Sequence, residues 1–176
     1  MNLTIGVFCG SKLGLEEKYS HLVKEFVDFV KINNFKIVFG GTELGLMKIL
    51  FTECIKKSVD IYGIVPKYLL NFCNKEFKNI IVTDNIEKRK NEFYHRSDFF
   101  VALPGGIGTL NEILDFMVKK ELGESSKRIF LVNYDNFWNP FQDLLKHFVR
   151  KKFLKRNKTV DLLTVKNFEQ TKKLIE

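Results

Sequence analysis

The chain has 176 residues, 45% of them hydrophobic, and a formal net charge of +8. This length supports one good hydrophobic core and excludes two ordinary domains, so residues 1–176 are expected to form a single domain. The apolar runs are only as long as β-strands, which excludes a membrane-spanning helix, and the first of them lacks the basic leader and cleavage site of a secretory signal, so a cytoplasmic location is expected.

Short apolar runs rich in Val, Ile and Phe alternate with longer stretches of helical periodicity. This alternation predicts an α/β fold, a doubly wound parallel sheet of six to seven strands flanked by helices. The predicted strands are Leu3–Cys9, Lys36–Phe39, Asp60–Val65, Asn79–Val82, Asp98–Leu103 and Arg128–Asn133, with a seventh, short one at Val160–Thr164. The predicted helices are Leu15–Asn33, Leu44–Lys57, Ile86–Arg96, Thr109–Leu122, Pro140–Leu154 and Lys166–Ile175.

The cysteines, histidines and charges exclude several classes of site. Cys9, Cys54 and Cys73 are widely spaced with no CxxC pair, and the three histidines are far apart, so we expect free thiols, no metal and no cofactor. The positive charge is diffuse except between Lys146 and Lys158, where basic residues alternate with apolar ones at helical spacing. An amphipathic helix with a solvated basic face explains that run, and no nucleic-acid partner is expected.

Glycine-rich loops follow three of the predicted strands. The residues are Gly10 and Ser11 after the first strand, Gly40, Gly41, Gly45 and Met47 after the second, and Pro104, Gly105, Gly106, Gly108 and Thr109 after the fifth. Ligands of doubly wound sheets bind beyond the carboxyl ends of the strands, where these loops meet. Glycine lets backbone amides approach an anion, and the next helix presents its positive N-terminus, so a phosphate is the expected ligand. Neither a Walker motif nor a Gly-x-Gly-x-x-Gly fingerprint is present.

Three charged residues stand near these loops. Glu112 is predicted on the first turn of the helix that Gly108 and Thr109 open, beside any bound anion. The spacing from Thr109 to Glu112 is also that of a capping box, and spacing alone leaves both interpretations open. Arg89 and Lys90 begin the helix that leads to the fifth strand, where they either reach a phosphate or ribose or form a solvated helix face.

Taken together, these segments resemble the LOG family of cytokinin riboside 5′-monophosphate phosphoribohydrolases. The segments are Phe8–Ser11, Gly40–Gly41, Gly45–Met47, Arg89–Lys90, Ser97–Asp98 and Leu103–Leu110 with Glu112. The likeness runs from about Ile5 to Asn133. Its most specific part is the Pro-Gly-Gly-x-Gly-Thr-x-x-Glu element with the upstream Arg-Lys pair.

The resemblance implies a Rossmann-like homodimer that hydrolyses the N-glycosidic bond of N6-substituted adenosine 5′-monophosphates, giving the free base and ribose 5-phosphate. It makes Arg89 and Glu112 the catalytic pair. It also makes the glycine-loop residues named above, together with Arg89 and Lys90, substrate-binding residues, with the phosphate held by Gly105, Gly106, Gly108 and Thr109. The apolar helix faces within 109–122 and 137–153 are numerous for one small domain, which favours a dimer as well.

The chain departs from the family pattern where the base is expected to bind. Thr42 and Lys48 stand where family members usually have glycines, and Ile86–Lys88 stands where they have Met-His-Glu. A substrate-binding glutamate that often follows the third strand falls near Asn71. The base pocket, and the choice between plain adenine and a cytokinin base, therefore stay open.

Two other functions are weighed against this one. A non-catalytic nucleotide- or cofactor-binding carrier of the same fold would use the same glycine loops, but it needs neither Glu112 beside the phosphate nor its pairing with Arg89. A pyridoxal-phosphate-dependent decarboxylase needs an identifiable Schiff-base lysine in a much larger fold, and the sequence supports neither.

Overall fold

The computed structural model describes residues 3–155 and 162–175. Within these ranges the strands are β1 (Thr4–Phe8), β2 (Lys36–Phe39), β3 (Ile61–Pro66), β4 (Ile80–Thr83), β5 (Phe99–Ala102), β6 (Ile129–Val132) and β7 (Leu162–Val165). The helices are α1 (Lys18–Ile32), α2 (Gly45–Lys56), α3 (Ile86–Arg96), α4 (Ile107–Glu121), α5 (Asn139–Arg150) and α6 (Phe168–Ile175). Two 3₁₀ turns span Lys67–Phe72 and Tyr134–Asn136.

The strands form one parallel sheet in the order β4-β3-β2-β1-β5-β6-β7. From β1 the chain moves outward through β2 and β3 to β4, and then crosses back to β5 on the other side of β1. The loops after β1 and β5 therefore diverge from neighbouring strands, which is the switch point where such sheets bind ligands. The prediction of an α/β doubly wound parallel sheet is confirmed.

Each face of the sheet carries its own core because strand side chains alternate between the two faces. Val7 and Cys9 pack with α1, α2 and α6 on one face. Phe8 points the other way and packs with α3, α4 and α5, where its ring stacks on Phe93 and Phe100. The α3–α4 face is the one that carries the charged residues of the candidate site.

Several predicted helix ends are wrong, including the start of α6, which is at Phe168 rather than Lys166. Helix α1 begins at Lys18 and leaves Leu15 fully exposed. Helix α4 begins at Ile107, two residues before the predicted start. Helix α5 ends at Arg150 because Lys152 takes a left-handed backbone (φ 64°), so Phe153 is exposed rather than part of an apolar helix face. Residues 156–158 of the basic run, and the start of the predicted seventh strand at 160–161, lie outside the described residues.

Gly41 has both a left-handed backbone and no room for a side chain. Its φ is +79°, and a Cβ there would lie 2.2 Å from Cγ2 of Val65 and 3.3 Å from Cα of Gly63. Val65 is a buried, β-branched residue of β3, and Gly63 contributes backbone, so neither neighbour can move aside easily. Gly41 therefore holds the loop after β2 tightly against β3.

Replacing Gly41 by Ala should lower the free energy of unfolding by about 1–2 kcal/mol for the left-handed backbone and by a further ~1–3 kcal/mol for overpacking. Gly123→Ala is the matched control, because Gly123 also has a positive φ (+78°) but faces open space. Urea denaturation of both variants measures the difference. Equal losses at the two positions would contradict the packing argument.

Candidate functional site

A cleft of about 740 Å³ lies at the carboxyl edge of the sheet. Every site residue predicted from the sequence lines it except Gly41 and Gly45. Those lining it are Gly10, Ser11, Gly40, Met47, Arg89, Lys90, Pro104, Gly105, Gly106, Gly108, Thr109 and Glu112. Gly41 packs on β3 as described above, and Gly45 packs on the backbone of Ser11 and Lys12. These two glycines support the cleft rather than face it.

The three glycine loops are joined to one another by backbone hydrogen bonds. The amide of Gly10 donates to the carbonyl of Pro104 at 3.1 Å, and the amide of Leu46, at the start of α2, donates to the carbonyl of Gly10 at 3.0 Å. A Cβ on Gly105 would lie 3.0 Å from the amide nitrogen of Gly10 and 2.1 Å from Oγ1 of Thr109. The loops after β1, β2 and β5 therefore form one floor at the bottom of the cleft.

The N-terminus of α4 opens into this cleft. Its N-cap residue is Gly106, and no side chain caps the helix. The first amides of a helix lack partners within the helix and carry a partial positive charge. A Cβ on Gly106 or Gly108 would meet no atom of the described chain within 4 Å. Packing within the described chain therefore does not require glycine at either position.

Arg89 of α3 and Glu112 of α4 form an ion pair in the cleft. Nη1 of Arg89 donates to Oε1 of Glu112 at 3.1 Å, and the two side chains are only 14% and 17% exposed. Nε of Arg89 donates to the carbonyl of Ile64 in β3 at 3.1 Å, and the guanidinium lies 5.7 Å from the ring centre of Phe93. These contacts fix the guanidinium in position, because its charge, its Nε and Nη1 donors and its face each have a partner.

Gly40 leaves room for this arginine. A Cβ on Gly40 would lie 2.9 Å from Nη2 of Arg89 and 2.9 Å from Sδ of Met47. The glycine after β2 therefore acts on the site through Arg89, which motif spacing does not reveal.

The placement of Glu112 differs from the prediction in one respect. Because α4 begins at Ile107, Glu112 is in the second turn and not the first. The alternative interpretation, a capping box between Thr109 and Glu112, is wrong, since the N-cap is Gly106 and Thr109 is buried against Gly105. Glu112 accepts from Arg89 instead, so the structure favours a role in the cleft over helix capping.

Burial raises the pKa of the Glu112 carboxyl above its ordinary value, and the charge and hydrogen bond of Arg89 oppose that rise. Asp115 raises this pKa further and Lys90 lowers it. The folded chain therefore holds the Glu112 proton more tightly than the unfolded chain does. Its contribution to the free energy of unfolding falls as the pH rises from the ordinary value through the raised one. Burial, and then the charge of Glu112, also raise the pKa of the Cys9 thiol well above its usual range.

Lys90 is held by a second ion pair across the same two helices. Its ammonium contacts the carboxylate of Asp115, one turn after Glu112 on α4. A small aromatic cavity lies behind the two pairs, lined by rings that include Phe93, Phe100 and Phe116. Asp115 was not predicted as a site residue, although its position one turn after Glu112 places it on the same helix face.

Several apolar residues of the cleft were also missed. On the β2–β4 side these are Leu44, Leu69, Phe72 and Ile86, and on the β6 side the rings of Tyr19 and Phe137 pack edge to face at 5.7 Å. Leu69, Phe72 and Ile86 follow the carboxyl ends of β3 and β4, so the strand-end rule could have indicated them. They carry no recognisable motif.

Two searches of the described residues bear on other classes of site. Within residues 3–155 and 162–175, no group of three or more His, Cys, Asp or Glu side chains is placed to hold a metal ion. No helix in these ranges is long and apolar enough to span a membrane.

Residues 47–175 match the family model described as "Possible lysine decarboxylase". Similar curated proteins include the cytokinin riboside 5′-monophosphate phosphoribohydrolases LOG5 and LOG3 of Arabidopsis thaliana. Each is 30% identical to 85% of the chain, which covers 66% of LOG5 and 71% of LOG3. LOG4 of the same plant is 27% identical over 98% of the chain and 81% of its own length. The chain belongs to the LOG family.

The chain spans about two thirds of the length of some of these LOG relatives, with 62% coverage of the probable LOGL2 enzyme of Oryza sativa subsp. japonica. Solved structures with the same fold include the molybdenum cofactor binding protein of Rippkaea orientalis, with a TM-score of 0.75 and 19% identity over 99% of this chain and 96% of that one. The molybdenum cofactor carrier protein of Chlamydomonas reinhardtii gives a TM-score of 0.72 and 18% identity over 99% of both chains. At such identities these structures confirm only the fold of this chain.

Arg89→Met should raise the pKa of Glu112 further, because the substitution removes the charge and the hydrogen bond that oppose desolvation. Lys90→Met should raise it less, since Lys90 does not contact the carboxylate and acts only through its charge. NMR titration of carboxyl-labelled glutamate in both variants and the parent chain measures the shifts. An unchanged or lowered pKa in the Arg89 variant would contradict the pairing described above.

Proposed function

We propose that the chain hydrolyses the N-glycosidic bond of adenosine 5′-monophosphates, including N6-substituted ones, to the free base and ribose 5-phosphate. The observation that carries this proposal is the Arg89–Glu112 pair, held in the cleft of about 740 Å³ beside the uncapped N-terminus of α4. Membership of the LOG family supports it, because curated relatives are named for this reaction.

The substrate phosphate is assigned to the N-terminus of α4, where the backbone amides that follow Gly105 and Gly106 attract an anion. The residues of the joined loops form the cradle, with Gly10, Ser11, Pro104 and Thr109 around the phosphate and Gly40 and Met47 on the side of the base. Gly41 and Gly45 support this cradle from behind. Phosphate and amide contacts then fix the ribose over Glu112, which lies in the next turn of the same helix.

Hydrolysis breaks the bond between C1′ and the purine nitrogen and joins a water oxygen to C1′. As the bond breaks, positive charge develops on the ribose, and the ionised carboxylate of Glu112 stabilises it or accepts the proton of the attacking water. The bonding electrons leave with the base, which takes up a proton. The charge and the hydrogen bond of Arg89 favour the ionised form of Glu112 and orient it, while the Nη2 group of Arg89 and Lys90 bind the nucleotide.

The carrier alternative shares the cleft and the phosphate cradle, and it predicts binding without release of base. A carrier does not need a buried ion pair beside the phosphate. Turnover therefore separates the two functions more directly than affinity does.

Glu112→Gln should lower kcat by about a hundredfold or more while nucleotide affinity stays near that of the parent chain, because the amide keeps the shape and loses the charge. Free base and ribose 5-phosphate are measured by chromatography, and affinity by calorimetry. Glu92→Gln is the control, since Glu92 lies on α3 in a partly exposed pair with Arg96. Near-normal turnover in the Glu112 variant would refute its catalytic role.

Gly108→Ala should lower the affinity for the phosphate group without lowering the stability of the fold. The added methyl group enters open space in the first turn of a helix, so the free energy of unfolding should stay constant or rise by up to about 1 kcal/mol. The same methyl group occupies space that the phosphate needs, so affinity for ribose 5-phosphate should fall at least tenfold. Thermal unfolding and calorimetry measure the two effects, and unchanged affinity would exclude Gly108 from the cradle.

We also propose that the active form is a cytoplasmic homodimer built from single-domain chains. Leu114 and Val118 of α4 and its C-cap residue Leu122 form an exposed apolar stripe, at spacings that place them on one helix face. Leu144 and Phe148 add exposed apolar surface on α5. A second copy of the chain is the partner that family membership favours for this apolar surface, because a two-fold interface buries the same patch of both chains.

Val118→Glu should convert the dimer to a monomer, because it places a charge at the centre of this stripe. Sedimentation equilibrium measures the mass. Ile55→Glu, at an exposed position of α2 on the opposite face of the sheet, should leave the dimer intact. A parent chain that sediments as a monomer would exclude the dimer.

A further inference from the structure

The cleft extends well beyond the space that a ribose phosphate needs. On the side of β2, β3 and β4 it is bounded by Leu44, Met47, Leu69, Phe72 and Ile86. Phe72 and Ile86 remain 48% and 41% exposed although both are apolar. Apolar side chains that remain exposed inside a cleft are typical of a ligand subsite.

We call the apolar residues Leu44, Met47, Leu69, Phe72 and Ile86 the wall of the cleft. The order of the strands indicates which end of a nucleotide contacts this wall. The phosphate cradle follows β5, whereas Arg89 bonds to the carbonyl of Ile64 in β3 and so draws the catalytic pair toward the β2–β3 side. In a nucleotide the base lies on the opposite side of the glycosidic bond from the phosphate. The base therefore continues over β3 and β4, while Tyr19 and Phe137 lie on the far side of the phosphate loop.

The wall is held in a fixed position. Phe72 ends the 3₁₀ turn Lys67–Phe72, and its carbonyl accepts from the amide of Glu43 at 2.7 Å. Oε1 of Glu43 accepts from Nδ2 of Asn74 at 3.2 Å. The turn after β3 is thereby tied to the loop after β2, and the carboxylate of Glu43 takes part in this connection and does not line the cleft.

The wall also offers little to the hydrogen-bonding edge of a purine. Thr42 is the hydroxyl residue on this side of the described cleft, and its Oγ1 contacts Sδ of Met47 at 3.7 Å in a buried position. A base is thus recognised here by stacking and apolar contact rather than by hydrogen bonds to its exocyclic amine. An apolar group on that amine adds contact area and leaves no polar group of the wall unpaired.

We propose that Phe72 is the specificity-determining residue of the base subsite: its ring supports the purine and, with the wall around it, contacts the apolar group of an N6-substituted nucleotide. This inference rests on the proposed function for the orientation of the nucleotide. The family resemblance places a substrate-binding glutamate near Asn71, in the 3₁₀ turn that Phe72 ends, and the new element is the assignment of that role to the neighbouring Phe72.

The test compares three ligands: N6-isopentenyl adenosine 5′-monophosphate, plain AMP, and ribose 5-phosphate, which has no base. Affinity is measured by calorimetry and kcat/KM by release of base, in the parent chain, Phe72→Ala and Tyr68→Ala. Tyr68 is the matched control because it is an aromatic residue of the same turn, 63% exposed, that does not line the cleft. Thermal unfolding of each variant verifies folding.

Phe72→Ala should lower affinity and kcat/KM for the isopentenyl nucleotide about tenfold, lower those for AMP less, and leave ribose 5-phosphate affinity unchanged. Tyr68→Ala should change none of these values. Equal losses for all three ligands, no loss for any, or a loss that appears in Phe137→Ala instead would overturn the proposal. Absence of turnover in the parent chain would refute the proposed hydrolysis, while the affinity ratios would still decide the role of Phe72.

Discussion

The buried ion pair between Arg89 and Glu112 is the interaction on which the proposed chemistry depends. A carboxylate in this position is costly, because burial raises its pKa and favours the neutral acid. Arg89 offsets that cost from a position fixed by the carbonyl of Ile64, the ring of Phe93 and the space left at Gly40. Arg89 thus favours the ionised form of a carboxylate that lies in a partly desolvated cleft, where its charge acts more strongly than it would in water.

The glycines of the three loops serve two different purposes. Gly10, Gly41, Gly45 and Gly105 allow close packing of one loop against another, and a side chain on any of them would meet backbone or a buried neighbour. Gly106 and Gly108 face open space at the start of α4. Packing explains the first group and an approaching ligand explains the second, although the sequence presents them all as one pattern.

Much of the fold follows from the sequence because apolar strand runs and helical periodicity are local signals. The sheet, its parallel strands and the helix α3 were predicted with bounds close to those observed. The errors lie at helix ends, where a single left-handed residue such as Lys152 or an uncapped start such as Gly106 decides the boundary. Of the site, the motif-bearing residues were predicted to meet at one edge, and they do. The family resemblance implied that Arg89 and Glu112 act as a pair, but it did not give their direct contact. The contact of Lys90 with Asp115 and the wall around Phe72 were not predicted, because they depend on tertiary packing, which spacing along the chain does not encode.

The central claim is that the phosphate anchors a nucleotide so that Glu112 acts at its glycosidic bond. Its most direct test is the release of free base from N6-isopentenyl adenosine 5′-monophosphate and from the matching nucleoside without phosphate, under the same conditions. The account predicts rapid release from the monophosphate, with ribose 5-phosphate as co-product, and little or none from the nucleoside. Equal rates for the two compounds would contradict it.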